Sequence, residues 1–272
     1  MHKAYWLIKE YIFPVKHRHL LYQLTKREIR QKFQGSWLGL GWAIITPLMM
    51  LAVYTFVFRS VLKAKWPGSE GDSNVEFALQ LFSGLLIFTL FSEVVGRAPT
   101  LVSEQPNMVK KVIFPLPVLP WVSVLTGCFF AFLSLVVLIT AETLALGQLS
   151  IHLFALPVIF AVFIPMLLGI AWLLSSLGVF LRDLGHVVGL IITPLMFLSP
   201  VFYPVSALPD IVQKFMIFNP LALIIESVRA VVLDTTWPDF SALAIYGVVA
   251  SFIALLGAAC FAQIRKGFAD VL

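Results

Sequence analysis

The sequence predicts an all-α integral membrane protein with six transmembrane helices. Hydrophobic residues make up 60% of the chain and charged residues 12%, about half the charged share of a soluble domain. The mean hydropathy is +0.96. Six apolar stretches approach the ~20 residues that a helix needs to cross a bilayer, and they lack the polar face of soluble helices. Because these stretches occupy most of the 272 residues, the chain is expected to be one transmembrane domain without a separate catalytic domain.

A basic leader, residues 1–36, precedes the first span and predicts two interfacial helices. The first has apolar residues at helical spacing, namely Ala4, Leu7, Ile8 and Tyr11, which is typical of an amphipathic helix lying on a membrane. The second, residues 20–33, follows Pro14 and carries four basic residues. It is either an anchor on anionic lipid or an element packed beside a transport path, and the leader leaves both interpretations open.

The six predicted spans follow in order along the chain. They are residues 37–62, 77–95, 121–144, 154–181, 187–203 and 240–261. With this topology, fourteen Lys and Arg residues fall on one side of the membrane and five on the other. The positive-inside rule therefore places both termini in the cytoplasm. The net charge of +5 lies beside the membrane, so it indicates contact with lipid headgroups rather than with nucleic acid.

The connection between the fifth and sixth spans, residues 204–239, has an unusual composition. It contains four prolines, yet residues 211–233 are mostly apolar. Such a segment is too long for a turn and too apolar for a solvated loop. We expect two short helices, residues 211–218 and 221–233, that dip into the outer leaflet and turn at Asn219-Pro220. A seventh span is excluded by the short length and by Pro220.

Motifs for catalysis or metal binding are missing from the sequence. It contains no phosphate-binding GxxxxGK[ST] loop, no HExxH and no nucleophile elbow. Cys128 and Cys260 lie in apolar stretches and are expected to be packing residues. Glu93 and Arg97 are four residues apart on one helix, a spacing that favours an ion pair. The sequence therefore predicts no active site, metal or cofactor in this chain, and any transport must be driven by another polypeptide.

Four sequence blocks resemble one family of membrane transporters. The first is IRQKFQGSWLGLGW, residues 29–42, which closes at Pro47. The second is KKVIFP, residues 110–115, with Leu119-Pro120, and the third is FLRDL, residues 180–184. The fourth is SPVFYP, residues 199–204, followed by Leu208-Pro209, Asn219-Pro220-Leu221, Glu226 and Arg229. In this order they resemble the ABC-2-type permeases, and more narrowly the branch that exports the lipid-linked polysaccharides O-antigen, capsule and teichoic acid. The resemblance covers nearly the whole chain.

The resemblance implies a function and a set of partners. It implies the ABC-2 permease fold, a homodimer in the inner membrane, and two ATP-binding subunits that carry ATP and Mg²⁺. The cargo would be an undecaprenyl-diphosphate-linked polysaccharide, with O-antigen first and capsule, teichoic acid, a small lipid or a drug as alternatives. A more distant alternative is a membrane transferase acting on polyprenyl phosphate, but that needs a cluster of acidic or His residues on one membrane face, which the sequence lacks.

The resemblance also assigns roles to particular residues. Residues 100–105, between Pro99 and Pro106, are expected to form a short helix. By resemblance this is the helix that couples to the ATP-binding subunit, and its contact candidates are Thr100, Leu101, Glu104 and Gln105. The alternative is a plain connecting loop. For the lipid diphosphate, the candidates are Arg27, Arg30, Lys32, Leu38 and Gly39; basic groups at headgroup depth suit phosphate, although they also enforce topology.

Aromatic residues and two ion pairs complete the predicted set. Aromatic rings stack on sugars and would suit a polysaccharide conduit; the candidates are Trp42, Tyr54, Phe56, Phe197, Phe202 and Tyr203. The alternative is packing against lipid, which is the common use of membrane aromatics. The predicted structural ion pairs are Glu93–Arg97 and Glu226–Arg229.

Overall fold

The computed structural model describes residues 14–57, 74–105, 114–147 and 150–271. In these ranges all regular structure is helical, which confirms the predicted all-α class. The helices are α1 (Arg18–Lys32), α2 (Trp42–Thr55), α3 (Asn74–Arg97), α4 (Val118–Leu146), α5 (Leu156–Gly178), α6 (Leu184–Leu198), α7 (Asp210–Phe215), α8 (Ala222–Val232), α9 (Phe240–Ile264) and α10 (Phe268–Val271). Short 3-10 turns lie at Val15–His17, Gly39–Gly41, Ala98–Thr100, Ile151–Ala155, Val205–Ala207, Met216–Phe218 and Arg265–Gly267.

Four of the helices, extended by adjoining turns, are long and apolar enough to cross a membrane. They are Val75–Thr100, Val118–Leu144, Ile151–Gly178 and Phe240–Gly267. Two further apolar helices are shorter, Gly39–Val53 and Leu184–Leu198, and fall below the ~20 residues of a full crossing. The count of six spans therefore stays a prediction. The first leader helix and the end of the first predicted span lie outside the described residues.

The connection between the last two predicted spans contains a bent helix pair. Asp210–Phe218 and Ala222–Val232 meet at an angle of 102°, close to the two helices that the prolines predict. At the bend, the Asn219 side chain accepts a hydrogen bond from the Leu221 N–H at 2.9 Å and donates one to the Leu198 carbonyl at 3.2 Å. The bond to Leu221 is local and favours a turn, and the bond to Leu198 holds the bend against the end of α6. The depth of the pair in the bilayer stays a prediction.

Helix α3 lies at the centre of the described structure. It packs against α2, α4, α5, α6 and α8, and 78% of its apolar window is buried, compared with 28% for α9. Helix α9 lies at the periphery and packs mainly on α5. Asp239 is its N-cap, and the Asp239 carboxylate accepts hydrogen bonds from the N–H groups of Ser241 and Ala242. Bonds from the Ser241 hydroxyl and these N–H groups hold the pKa of Asp239 below its usual value.

Helices α5 and α9 touch through their backbones. A Cβ atom added to Gly169 would lie 2.6 Å from the Ile253 carbonyl oxygen, and one added to Gly257 would lie 2.3 Å from the Gly169 oxygen. In lipid, apolar side chains gain little by leaving the solvent, so close packing of small residues drives helix association. These two glycines therefore set how closely α5 and α9 approach.

The leader helix α1 is attached to the membrane helices by apolar contacts. Leu21 is buried against Val118 and Val122 of α4. After the helix ends, the Phe33 ring meets the Phe130 ring of α4 edge-on, with the ring centres 5.6 Å apart. The second leader segment is thus packed against α4, and whether it lies beside a transport path stays a prediction.

Candidate functional site

Two ion pairs join α1 to the C-terminal end of α3. Lys32 Nζ lies 2.5 Å from Glu93 Oε1, and the Arg97 guanidinium bonds to the Glu28 carboxylate. The predicted pair between Glu93 and Arg97 is therefore wrong. These two residues share one face of α3, but that face meets α1, which presents an opposite charge to each of them. We call Glu28, Lys32, Glu93 and Arg97 the charge quartet.

The order of charges in the quartet fixes the register of the two helices. Glu28 and Lys32 are four residues apart on α1, and their partners are four apart on α3 in reverse order. A shift by one helical turn would bring Glu28 to Glu93 in one direction, or Lys32 to Arg97 in the other. Exposed ion pairs are each worth only about 0–1 kcal/mol, so the quartet acts mainly by disfavouring other registers. Burial raises the pKa of Glu28, and Arg97 opposes that shift.

Two cavities adjoin the quartet. A polar cavity of about 370 Å³ is lined by all four quartet residues and by Gln31, Ser123, Thr126 and Gly127. A more apolar cavity of about 360 Å³ lies between α2, α3 and α4, with Phe33, Trp42, Met50 and Phe130 in its wall. The two cavities are neighbours, because they share Lys32, Glu93 and Gly127 as lining residues. One of them is lined by the charge quartet and the other mainly by hydrocarbon.

The basic residues of α1 are divided between two faces. Arg27 and Arg30 line a shallow groove of about 560 Å³ together with Lys26 and three glutamines, Gln23, Gln31 and Gln34. Its described lining residues include no carboxylate, and we call it the basic groove. Lys32 points elsewhere, with its ammonium 2.5 Å from Glu93 and 4.3 Å from the centre of the Phe130 ring. The structure therefore places Arg27 and Arg30 together and separates Lys32 from them.

The other two candidates for lipid reception lie in the turn between α1 and α2. Leu38 is exposed and precedes the 3-10 turn Gly39–Gly41. Gly39 has a φ of +50° with no atom within 4 Å of its missing side chain, so the backbone conformation rather than space favours glycine there. Trp37 is 96% exposed beside them, in a position that suits a membrane–water interface.

The segment after α3 is a tight turn rather than the predicted helix. A 3-10 turn, Ala98–Thr100, is followed by a hydrogen bond from the Glu104 N–H to the Thr100 carbonyl at 2.9 Å. Glu104 is exposed, and Thr100 and Gln105 are half-buried. Leu101 is buried in the core with only 6% exposure, so its side chain does not face a partner. Pro106 lies outside the described residues.

This turn is held tightly against α5. A Cβ atom on Gly178 would lie 2.0 Å from the Pro99 carbonyl oxygen, so the backbone of α5 contacts the backbone of the turn directly. Arg97, the residue before the turn, belongs to the charge quartet. The turn is therefore fixed to α5 on one side and linked to the leader helix on the other.

The predicted conduit aromatics form two groups. Trp42, the first residue of α2, lines the apolar cavity. Phe56, the residue that follows α2, is exposed. The other group lies at the end of α6 and just after it. The rings of Phe197, in the last turn of α6, and Phe202 stack with centres 5.4 Å apart, and the Tyr203 hydroxyl donates to the Phe197 carbonyl at 2.8 Å. The Tyr54 side chain lies outside what the structure describes.

Arg229 is a buried connector that the sequence identified only as half of an ion pair. The predicted pair with Glu226 is present at 3.0 Å. The guanidinium, in a residue only 2% exposed, also donates to the carbonyl oxygens of Gln80 at 3.2 Å, Val201 at 2.8 Å and Tyr203 at 3.4 Å. One side chain thus ties α8 to α3 and to the irregular segment after α6. Among the described residues, no group of three or more His, Cys, Asp or Glu side chains is placed to hold a metal ion.

Comparison with known proteins places the chain among membrane transporters. A family model described as ABC-2 type transporter matches residues 19–233. The O-antigen export system permease protein RfbA of Myxococcus xanthus is 28% identical over 94% of this chain and 96% of its own. A protein of the same name from Klebsiella pneumoniae is 25% identical over 93% and 95%. The polysialic acid transport protein KpsM of Escherichia coli is 23% identical over 85% and 89%.

The family match and the apolar helices support each other. The matched region runs from α1 to the residue after α8, so it includes the charge quartet, the tight turn and the bent helix pair. Four long apolar helices in the described part agree with a protein that crosses the membrane several times. This chain is a multi-pass membrane protein that belongs to the ABC-2 type transporter family.

Proposed function

We propose that this chain is the permease subunit of an ATP-driven exporter that moves an undecaprenyl-diphosphate-linked polysaccharide across the inner membrane, from the cytoplasmic to the outer face. O-antigen is the first candidate for the cargo, since relatives that cover more than nine-tenths of the chain are named for its export. The single structural observation that carries the proposal is the basic groove. Lys26, Arg27 and Arg30 meet there, with no carboxylate among the described lining residues, and such guanidinium and ammonium groups bind phosphate through strong charge-assisted hydrogen bonds.

The groove lies on an element that suits its proposed role. Helix α1 precedes the first apolar helix and packs against α4, so its basic face is expected at the depth of the lipid headgroups. A lipid diphosphate held there would have its hydrocarbon tail in the bilayer and its sugars toward the cytoplasm. The Lys and Arg distribution supports the same orientation, with both termini in the cytoplasm.

The motor is proposed to be a separate protein. The sequence has no phosphate-binding loop, so two ATP-binding subunits with their Mg²⁺ are proposed to act on a homodimer of this chain. The exposed Glu104 on the tight turn is the first candidate for contact with them, followed by Thr100 and Gln105. Because Gly178 and Pro99 touch through their backbones, force on this turn would pass directly into α5.

Capsular polysaccharide is the second candidate cargo. One relative is named as a polysialic acid transport protein and covers 85% of this chain. The basic groove recognises a lipid diphosphate rather than a particular sugar, so it is compatible with either glycan. Teichoic acid and small lipids remain alternatives within the same family.

The proposed function predicts that loss of the basic groove weakens the response to substrate. In a complex reconstituted with its ATP-binding partner, Arg27→Gln with Arg30→Gln is expected to raise the concentration of lipid-linked glycan needed for half-maximal stimulation of ATP hydrolysis by roughly tenfold or more. Each basic residue near an anionic surface contributes about 1 kcal/mol, and 1.4 kcal/mol is a factor of ten. The measurement is ATP hydrolysis as a function of glycolipid concentration.

The matched control is Lys214→Gln. Lys214 is also an exposed basic residue, but it lies on α7, far along the chain from the groove. Its substitution is expected to leave the glycolipid concentration for half-maximal stimulation of ATP hydrolysis unchanged. If the groove variant has the same curve as the unaltered complex, the basic groove does not receive the substrate.

A further inference from the structure

The charge quartet borders two partly open cavities. The polar cavity beside it measures about 370 Å³ and the apolar cavity about 360 Å³, each of which falls in the ~300–1,000 Å³ range of small-molecule sites. They meet at Lys32 and Glu93. A ligand that occupies both must therefore be an amphiphile, with a polar head among the charges and hydrocarbon between α2, α3 and α4.

The quartet residues have hydrogen-bond donors and acceptors that the two ion pairs do not use. In the described part of the chain, Lys32 bonds through its ammonium to one oxygen of Glu93, and Arg97 bonds through one nitrogen to one oxygen of Glu28. An ammonium has three donors and a guanidinium five, and each carboxylate has a second oxygen. A ligand can therefore add bonds to all four residues without breaking either ion pair.

We infer that this space binds a zwitterionic phospholipid with a primary ammonium, of the phosphatidylethanolamine type. Its phosphate would accept bonds from Lys32 and Arg97, which both line the polar cavity. Its ammonium would donate to the second oxygens of Glu28 and Glu93, and an acyl chain would enter the apolar cavity. This lipid is a bilayer component rather than the cargo, so the inference is independent of the proposed function.

The charges distinguish this headgroup from the other common ones. The quartet has two acidic and two basic members, so it offers no net charge to an anionic headgroup such as phosphatidylglycerol, which would also meet two carboxylates. A choline headgroup is zwitterionic, but its quaternary ammonium has no N–H to donate to a carboxylate. The basic groove has the opposite character, since its lining, as far as the structure describes it, has cations and no acid, and it is expected to take anionic lipid.

The test is thermal unfolding of the purified, delipidated full chain in detergent with each lipid added. Phosphatidylethanolamine is expected to raise the unfolding temperature by about 3 °C or more, and phosphatidylcholine by clearly less. In Lys32→Gln with Glu93→Gln, the shift from phosphatidylethanolamine should be lost, whereas any shift from phosphatidylglycerol should persist. In Arg27→Gln with Arg30→Gln, the shift from phosphatidylethanolamine should persist and any shift from phosphatidylglycerol should be lost.

Glu28→Gln with Arg97→Gln provides a second route, because it leaves the ion pair between Lys32 and Glu93 in place. Its shift with phosphatidylethanolamine should be smaller than that of the unaltered chain. The inference is overturned if phosphatidylethanolamine gives no shift, if phosphatidylcholine matches it, or if both paired variants retain the full shift.

Discussion

Arg229→Met is expected to lower the free energy of unfolding by about 3–5 kcal/mol, the usual cost of removing one partner from a buried charged network. The guanidinium is nearly inaccessible and donates to carbonyl oxygens of α3 and of the segment after α6. Methionine fills similar space but cannot donate, so the Val201 and Tyr203 carbonyls lose the donor that Arg229 supplies, in surroundings where water does not replace it. The measurement is the midpoint of thermal unfolding in detergent.

Two further variants separate the parts of this network. Glu226 is 36% exposed at its side chain, so Glu226→Gln is expected to cost about 1 kcal/mol or less. Arg229→Lys keeps the charge, but its single ammonium cannot reach carbonyls in two segments at once, and it should recover less than half of the loss. An equal cost for Glu226→Gln and Arg229→Met would mean that the ion pair, and not the carbonyl contacts, holds the segments together.

Gly169→Ala is the second substitution with a large expected effect. The added methyl group would lie 2.6 Å from the Ile253 carbonyl carbon and oxygen, and backbone atoms in a packed helix cannot move aside as a flexible side chain can. Overpacking usually costs 1–3 kcal/mol, so a loss of about 3 kcal/mol is expected. The same thermal unfolding assay should show a decrease on the order of 10 °C.

Gly189→Ala on α6 is the matched control for this substitution. No atom lies within 4 Å of the position that its Cβ would take. Alanine favours a helix by up to about 1 kcal/mol relative to glycine, so this variant should be equally stable or slightly more so. If Gly169→Ala is as stable as Gly189→Ala, α5 and α9 do not pack as closely as the structure has them.

Features that depend on local chemistry could be predicted from the sequence. The length of the apolar stretches located the long helices, and the prolines located the bent pair at Asn219-Pro220. Asp239 caps the N-terminus of α9 through its carboxylate, directly before the first residue of the predicted span. In each case the determining groups lie within a few residues of one another, so no knowledge of the tertiary structure is needed.

Features that depend on distant contacts could not be predicted in this way. A spacing of four residues is the same whether Glu93 pairs with Arg97 or with a residue on another helix, so the sequence could not reveal Lys32 as the partner. Pro99 and Pro106 bracket the segment after α3 in the sequence, but they do not indicate that Leu101 is buried in the core. The carbonyl of Gln80 lies 149 residues from Arg229 along the chain.

Some of the missed features did leave a signal in the sequence. Glu28 and Lys32 are four residues apart and share a face of α1, whereas Arg27, Arg30 and Gln34 share another at spacings of three and four. Applying this periodicity to the basic residues would have separated Lys32 from the basic groove. On α9, small residues recur at spacings of three and four at Ala250, Ala254 and Gly257, a pattern that indicates close helix packing in lipid.

The central claim is that this chain provides the passage while a separate subunit hydrolyses ATP. It is tested most directly by reconstituting the purified chain into vesicles, alone and with its ATP-binding partner, and measuring both ATP hydrolysis and the movement of lipid-linked glycan between leaflets. The account predicts no ATP hydrolysis by the chain alone, and ATP-dependent movement of the glycan by the complex. ATP hydrolysis by the chain alone, or glycan movement at the same rate without ATP, would contradict it.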